Sequence, residues 1–385
     1  AAVVGRLLSE DQVLLRTDRE METIMRLPKQ ADLKVGDRLI ALPAFRPLIS
    51  AASNTMEVDG GTSLEITGLD EKQVPEISLH YGRVLIRALP FPDSRLRVRI
   101  GDSVGTLVYE QADSVVGIEV RPYRSPGTDP EQVASMHAVD LYVVSGKIRW
   151  ISGDQEEVIE APARKQLSAH RDDKETAFDE QPAWLARSTI TALDRRGIST
   201  IQQRLQHDSS VSLSLSELAE PKQRFEVRRL ALRGCAYVAY FDPLIDALAD
   251  KEEFNRWFTI FLPELTSAIA RDPQTAAKLR RTLERKRGDD AEDLYRMLWG
   301  YSRDDLIGAE DPQASKLVDY LDHEDLDYRV LSIWNLRQIT GLGLNYRPED
   351  DESDRRKSVV RWRKKANSGE IVPRGTEPGP AAAEK

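Results

Sequence analysis

The sequence predicts a two-domain protein in which an antiparallel β-sandwich or barrel precedes an all-α domain. Up to about residue 168, apolar and polar residues alternate in short segments, which is the period of a half-buried strand. After about residue 181, apolar residues recur at intervals of three and four, which is the period of an amphipathic helix. The chain of 385 residues is also longer than one hydrophobic core usually organises, so two domains are expected.

The β half, residues 1–168, consists of Val-, Ile-, Leu- and Tyr-rich segments separated by turn signals. Typical segments are "SLEITGL", "RLRVRIG", "GTLVYEQ" and "DLYVVSG", and typical turns are "VGDR", "VDGG", "PFPDS" and "SPGTDP". Many short strands with Gly, Pro, Asp and Ser between them are typical of a sandwich or barrel. Because no long helical pattern interrupts them, β–α–β units and a parallel sheet are not expected.

Two octets in this half are alike, "HYGRVLIR" at 80–87 and "VVSGKIRW" at 143–150. In each, a strand runs into a glycine, Gly82 or Gly146, and continues as a second strand after a basic residue. A glycine supplies the positive φ or the close approach that a bend in a strand needs. We therefore expect a kink at both glycines and an internal repeat, with coincidence of a common pattern as the alternative.

The second half predicts helices joined by short turns. Residues 169–181, "AHRDDKETAFDEQ", are charged and are expected to form a linker, and residues 182–345 an all-α domain. Its first helix is predicted in "PAWLARSTITALDRRG", with Trp184, Leu185, Ile190 and Leu193 near one face. The helices suit an α-solenoid or an irregular bundle. Residues 346–370 predict a loop and a basic terminal helix, and residues 371–385 a disordered tail.

Composition excludes several classes of protein. A net charge of −9 does not favour nucleic acid as a partner. A single cysteine, Cys235, rules out an internal disulfide and a cysteine metal cage. No run of apolar residues is long enough to span a membrane. Because the sequence opens "AAVVGRLL" without methionine, we expect a processed chain or a piece of a longer one, in which an upstream segment provides any membrane anchor.

No motif for catalysis, cofactor binding or metal binding is present. The five histidines are dispersed, and none has a second ligand at metal-site spacing. There is no nucleophile elbow and no phosphate-binding loop, since "GLGLN" lacks the later glycine and a preceding strand. The acidic groups "DQEE" and "EDDE" lie in predicted turns. The sequence therefore predicts no catalytic residue, no cofactor and no metal, and an enzyme is not expected.

Two weaker binding surfaces can be named. Aromatic rings on a sheet bind small ligands such as carbohydrates, and the candidates are Tyr81, Tyr109, Tyr123 and Trp150, although a core position is the alternative for Trp150.

The second surface is the basic helix. Seven of the eleven residues from 355 to 365 are Lys or Arg. The spacing of Val359 and Trp362 predicts a helix packed through Trp362 with its cations outward. Arg361 and Lys364 are its candidates for contact with an acidic protein, nucleic acid or lipid.

Four motifs of the β half are similar to the FecR-type domain, the extracytoplasmic sensing module of bacterial membrane-anchored regulators. They are "LKVGDRL" at 33–39, "GGTSLEI" at 60–66, "HYGRVLI" at 80–86 and "VSGKIRW" at 144–150. One departure is "VGTLVYE" at 104–110, where Leu107 and Val108 stand in place of the aromatic residue of the family's "G-T-x-F" strand. The helical half resembles the C-terminal region of bacterial FecR-like proteins, in "LWGYS", "LVDYLDHEDLDYRVLSIWNLRQITG" and "YRP", and more loosely HEAT-type repeats.

These resemblances imply a binding scaffold. We expect a non-enzymatic sensing or interaction protein of signal transduction, in which the β domain docks a partner and the helical domain acts as a scaffold. The expected partner is a protein, for example a membrane-bound regulator. The expected location is periplasmic, with a membrane anchor outside this sequence, and a cytoplasmic location is the alternative. Two alternatives stay open, a carbohydrate- or small-ligand-binding β domain and a hydrolase whose site is dispersed along the chain.

Overall fold

The computed structural model describes residues 2–18, 23–51, 54–69, 74–88, 94–167, 175–176, 181–186, 191–307 and 312–373. Strands occupy the first part of the chain and helices the second, which confirms the predicted order of β and then α. The strands are β1 Val3–Leu7, β2 Leu14–Asp18, β3 Thr23–Arg26, β4 Asp32–Lys34, β5 Arg38–Ala41, β6 Leu48–Ala51, β7 Asn54–Val58, β8 Thr62–Leu69, β9 Pro75–Ala88, β10 Arg95–Ile100, β11 Ser103–Tyr109, β12 Val115–Tyr123, β13 Met136–Ser145, β14 Lys147–Ser152, β15 Gln155–Glu160, β16 Ala163–Gln166 and β17 Glu175–Thr176. The helices are α1 Ala192–Arg204, α2 Val211–Leu218, α3 Phe225–Tyr237, α4 Asp242–Leu248, α5 Leu262–Arg271, α6 Pro273–Arg287, α7 Ala291–Trp299, α8 Arg303–Ile307, α9 Gln313–Tyr320, α10 Leu326–Thr340 and α11 Glu352–Asn367.

The strands form two sheets that share β9. The first half of β9 pairs with β8 and β10, and its second half pairs with β7 and β12. Among the described strands every pairing is antiparallel except β9 with β10. Apolar side chains of both sheets, such as Leu79, Val84, Ile118 and Ile148, belong to one buried cluster. The predicted antiparallel sandwich is therefore present.

The two matching octets mark the places where the chain passes from one sheet to the other. Strand β9 changes sheets at Gly82, whose φ is +98°, and β13 and β14 lie in different sheets on either side of Gly146, whose φ is +75°. A Cβ atom at Gly82 would lie 2.5 Å from the Cα of Thr62, and one at Gly146 would lie 2.8 Å from the Cα of Ser114. The predicted kink is confirmed at both positions.

The chain divides into two compact units whose borders differ from the predicted domains. The sheet unit comprises residues 1–123 and 136–240, and the helical unit comprises residues 124–135 and 241–385. Helices α1–α3 thus belong with the strands. One reason is Arg26 on β3, whose Nη1 donates hydrogen bonds to the carbonyl oxygens of Gln202 (2.5 Å) and Leu205 (2.7 Å) at the end of α1.

The start of the predicted all-α domain is also different. Trp184 and Leu185 precede the first helix and pack with Leu85 and Tyr142 on the sheet, the indole edge-to-face on the Tyr142 ring at 5.8 Å. Leu193 is exposed instead of facing a core. The predicted linker at 169–181 and tail at 371–385 lie mostly outside the described residues, as does Ile190.

In the helical unit, helix ends follow the expected capping chemistry. Asp272 caps α6, its Oδ1 accepting a hydrogen bond from the backbone N–H of Thr275 at 2.8 Å, and Pro273 opens the helix. Gly300, with φ +75°, ends α7. Within the described residues no helix has both the length and the apolar character needed to cross a bilayer.

Candidate functional site

Three of the four aromatic candidates for ligand binding are buried. Tyr81, Tyr109 and Trp150 are 7–8% exposed, whereas Tyr123 is 41% exposed. The Trp150 indole fills the space over Gly105, where a Cβ atom would lie 1.9 Å from Cζ2. The expectation that these rings offer a binding surface on the sheet is therefore wrong for Tyr81, Tyr109 and Trp150. Tyr109 and Trp150 lie in the sandwich core, which was the alternative for Trp150, and the Tyr81 ring packs against that of Tyr237 at 6.0 Å.

In the basic helix α11, Val359 and Trp362 are buried as predicted, but Arg355 does not point outward as predicted. Trp362 and Val359 are fully buried, and Arg361 and Lys364 are exposed, with no side-chain hydrogen bond or ion pair to a described residue. Arg355, however, is only 7% exposed, and its Nη1 donates to the carbonyl oxygen of Asp350 at 2.6 Å. Its outward orientation was predicted wrongly because the preceding loop folds over the start of the helix.

A larger site lies in the helical unit, where a cavity of about 750 Å³ opens between α6, α7, α9 and the segment 124–135. We call it the acidic cavity. Ligand sites are commonly concave and of this size. Its charged and aromatic lining residues are Asp129, Glu131, Arg280, Glu284, Asp289, Glu292, Asp293, Tyr295, Arg296, Trp299, Tyr301, Asp305, Lys316 and Tyr320.

The charges of this lining are unbalanced. Each of its three cations is engaged by a carboxylate of the same wall: Arg280 Nε lies 3.0 Å from Glu131, Arg296 Nη2 lies 3.1 Å from Asp305, and Lys316 Nζ lies 2.7 Å from Asp293. Seven carboxylates line the cavity, so four remain in excess of the resident cations. The wall therefore carries a negative field that is not cancelled from within.

Asp293 is held in its charged form. Burial alone would raise the pKa of this carboxyl group, but hydrogen bonds from Lys316 and from the Tyr320 hydroxyl, each 2.7 Å long, outweigh burial, so that its pKa is lowered. The Lys316 ammonium also lies 5.6 Å from the centre of the Tyr320 ring. The three side chains thus fix one another at the wall formed by α7 and α9.

Asp305 is held in the same way at the other end. Burial acts to raise its pKa, but the Ser302 hydroxyl (2.6 Å), the Ser302 backbone N–H (2.7 Å) and Arg296 together lower it. The segment 124–135 approaches here so closely that a Cβ atom at Gly127 (φ +84°) would lie 2.4 Å from Asp305 Oδ2. Only glycine fits, and this contact places Asp129 and Glu131 in the wall.

Two polar groups beside the cavity lack a hydrogen bond. The hydroxyl group of Tyr295, a residue that is 2% exposed, and the indole N–H of Trp299 are buried and make none of normal geometry with any described residue. Burial first, and then the nearby Glu131 carboxylate, raise the pKa of Tyr295. The two rings meet edge-to-face at 5.6 Å. Such groups are costly to leave unsatisfied and commonly mark a place for water or a ligand.

A second, smaller cavity of about 270 Å³ adjoins the first at Trp299, which lines both. Its wall is more apolar and includes Ile269, Met297, Leu298 and Trp334. Arg124 also lines this apolar cavity. Its Nε donates to the carbonyl oxygen of Ile269 at 3.1 Å, while its buried Nη2 has no partner among the described residues.

This arrangement is suited to binding cations. The two carboxyl groups of the acidic cavity whose pKa is shifted, those of Asp293 and Asp305, are both shifted downward, which favours their charged form. No cluster of three metal-binding side chains occurs in the described parts of the chain.

Sequence reasoning missed this site for an identifiable reason. The segment "SPGTDP" is typical of a turn, whereas in the structure it carries Asp129 into the cavity wall. One signal is present in the sequence, since "LWGYS" contains Trp299 and Tyr301, two aromatic residues of the cavity wall.

No protein-family model matches the chain, and no curated protein matches it. Two crystal structures of a "putative anti-sigma factor" from Parabacteroides distasonis are similar over 37% of this chain, with a TM-score of 0.27 and sequence identities of 7% and 8%. The match spans 60% of the length of those chains. A likeness at this level bears on neither fold nor function.

Proposed function

We propose that the protein is a non-enzymatic interaction protein with a sensing or regulatory role, and that its helical unit receives a protein partner at the acidic cavity. The single observation that carries the proposal is the wall of this cavity: its carboxylates outnumber its cations by four, and those with a shifted pKa are held charged. Such a surface attracts and orients a partner of opposite charge.

The carboxyl groups whose pKa is raised do not contribute to this cavity. Burial raises the pKa of Asp59, against the opposing effect of Arg46 and Arg83, in the sheet unit. Burial likewise raises the pKa of Asp327, which contacts Arg287 at 3.2 Å. Neither residue lines the acidic cavity, so the carboxyl groups with a raised pKa lie away from the proposed binding site.

For the sheet unit we propose a FecR-type sensing module located outside the cytoplasmic membrane. Support comes from where the four motifs fall. "LKVGDRL" joins β4 to β5 and "GGTSLEI" begins β8, while "HYGRVLI" and "VSGKIRW" form the two glycine crossings between the sheets. Location and anchoring rest on the resemblance alone.

Site-specific photo-crosslinking in the producing cells tests the proposal. Half-exposed Gln313 at the cavity is replaced by a benzophenone amino acid in the full chain, which leaves every carboxylate of the wall in place, and exposed Glu252 of the same unit serves as the control position. We expect a light-dependent adduct with one protein from position 313 and none from position 252. Equal labelling from both positions, or no protein adduct from position 313, would refute the proposed function.

A further inference from the structure

We propose that the acidic cavity binds a lysine or arginine side chain of a partner segment, and that the adjoining apolar cavity takes the apolar residue next to it. The inference rests on the proposed function in assuming that the ligand belongs to a protein. It adds which groups of the partner are recognised, namely a cationic side chain and the apolar side chain next to it.

The position of the cation follows from the resident pairs. The Arg296 guanidinium already stacks on one face of Trp299 and one face of Tyr301, at 4.9 and 4.4 Å from the ring centres. We therefore place the incoming cation at carboxylates that contact no cation among the described residues. Asp289 and Glu292 are two of these, and both are exposed at the cavity.

The unsatisfied polar groups favour a peptide over a simple amine. The Trp299 indole N–H and the free Nη2 of Arg124 are donors, and a peptide backbone offers carbonyl oxygens as acceptors.

The apolar cavity supplies the second half of the recognition. It shares Trp299 with the acidic cavity, so one ligand can enter both. Its volume of about 270 Å³ accommodates a single aliphatic or aromatic side chain but not a further folded element. A polyamine has no group for this space, whereas a segment with alternating basic and apolar residues fills both.

Calorimetric titration of the full chain tests the inference with three probes. They are the capped peptide Gly-Arg-Leu-Arg-Leu-Gly, its analogue with glutamine at both arginine positions, and spermidine. We expect the arginine peptide to bind at least about tenfold more tightly than the other two, and its affinity to fall as salt is added. The double variant Glu292→Gln and Asp289→Asn should weaken the peptide about tenfold, whereas the control Glu252→Gln should leave it unchanged.

Each contrary result has one meaning. Equal binding of the glutamine analogue, indifference to the double variant, or no binding of any probe overturns the inference. Tighter binding of spermidine assigns the cavity to a free organic cation and also overturns it. Photo-crosslinking at position 313 is read independently, so a protein adduct without peptide binding rejects the cation chemistry and leaves the proposed function standing.

Discussion

Asp293 shows how single residues set the properties of the acidic cavity. Its carboxylate accepts hydrogen bonds from Lys316 and Tyr320, which belong to another helix. The folded state therefore binds a proton less readily than the unfolded chain, in which the carboxyl group has an ordinary pKa of about 4. The group stabilises the fold above that pH, and its contribution is lost as the pH falls through the lower, folded value.

We predict that Asp293→Asn lowers the free energy of unfolding by about 1 kcal/mol at neutral pH, a figure reduced from that of a buried charged hydrogen bond because the side chain is partly exposed. The difference from the parent protein should shrink as the pH falls below about 4. Urea unfolding at a series of pH values measures it, with exposed Glu324→Gln as control. A difference that does not vary with pH would contradict the assigned charge state.

Arg355 and Trp362 are buried residues of α11, whereas Arg356 is exposed. Arg355→Gln removes a buried guanidinium from the Asp350 carbonyl and is expected to cost about 1–3 kcal/mol, whereas Arg356→Gln on the exposed side should stay within about 0.5 kcal/mol. Trp362→Ala leaves a large void and should cost about 3–5 kcal/mol. Thermal unfolding ranks the three. Equal effects of the two arginine variants would show that burial does not decide their roles.

Among the elements, the kinked strands determine how the two sheets are joined. A side chain at Gly146 faces two penalties, a positive φ and contact with Ser114, whose hydroxyl accepts a hydrogen bond from the Lys147 N–H at 3.0 Å and donates one to the Lys147 carbonyl at 2.9 Å. This serine therefore fixes the chain where it leaves one sheet and enters the other.

We predict that Gly146→Val destabilises the sheet unit by about 2–4 kcal/mol, because a β-branched residue at positive φ is strained and Ser114 cannot move away without losing its hydrogen bonds. Gly68→Ala on β8 is the matched control, since a Cβ atom there meets nothing within 4 Å. Hydrogen exchange of β13 and β14 amides reports the effect. Unchanged protection in the valine variant would reject the crossing as a source of stability.

At the scale of the whole molecule, local patterns predicted the elements better than the site. The alternation of apolar and polar residues in a strand depends only on residues that are neighbours in sequence. The strands and both glycine kinks were therefore predictable. The acidic cavity depends on Asp129 and Glu131 meeting Arg280 and Asp305, which are remote in sequence. Likewise, seven basic residues of α11 look equivalent in sequence, and only the position of the preceding loop buries Arg355 and leaves Arg361 and Lys364 in solvent.

The chain passes between its two units three times, after residues 123, 135 and 240. A gene fragment that begins after the last strand would therefore encode the helices but omit Gly127, Asp129 and Glu131. A protein fragment cut at the apparent border between strands and helices would therefore lack one side of the acidic cavity. A gene fragment that encodes the complete pocket must accordingly include the segment between β12 and β13 together with the helices from α6 to α9.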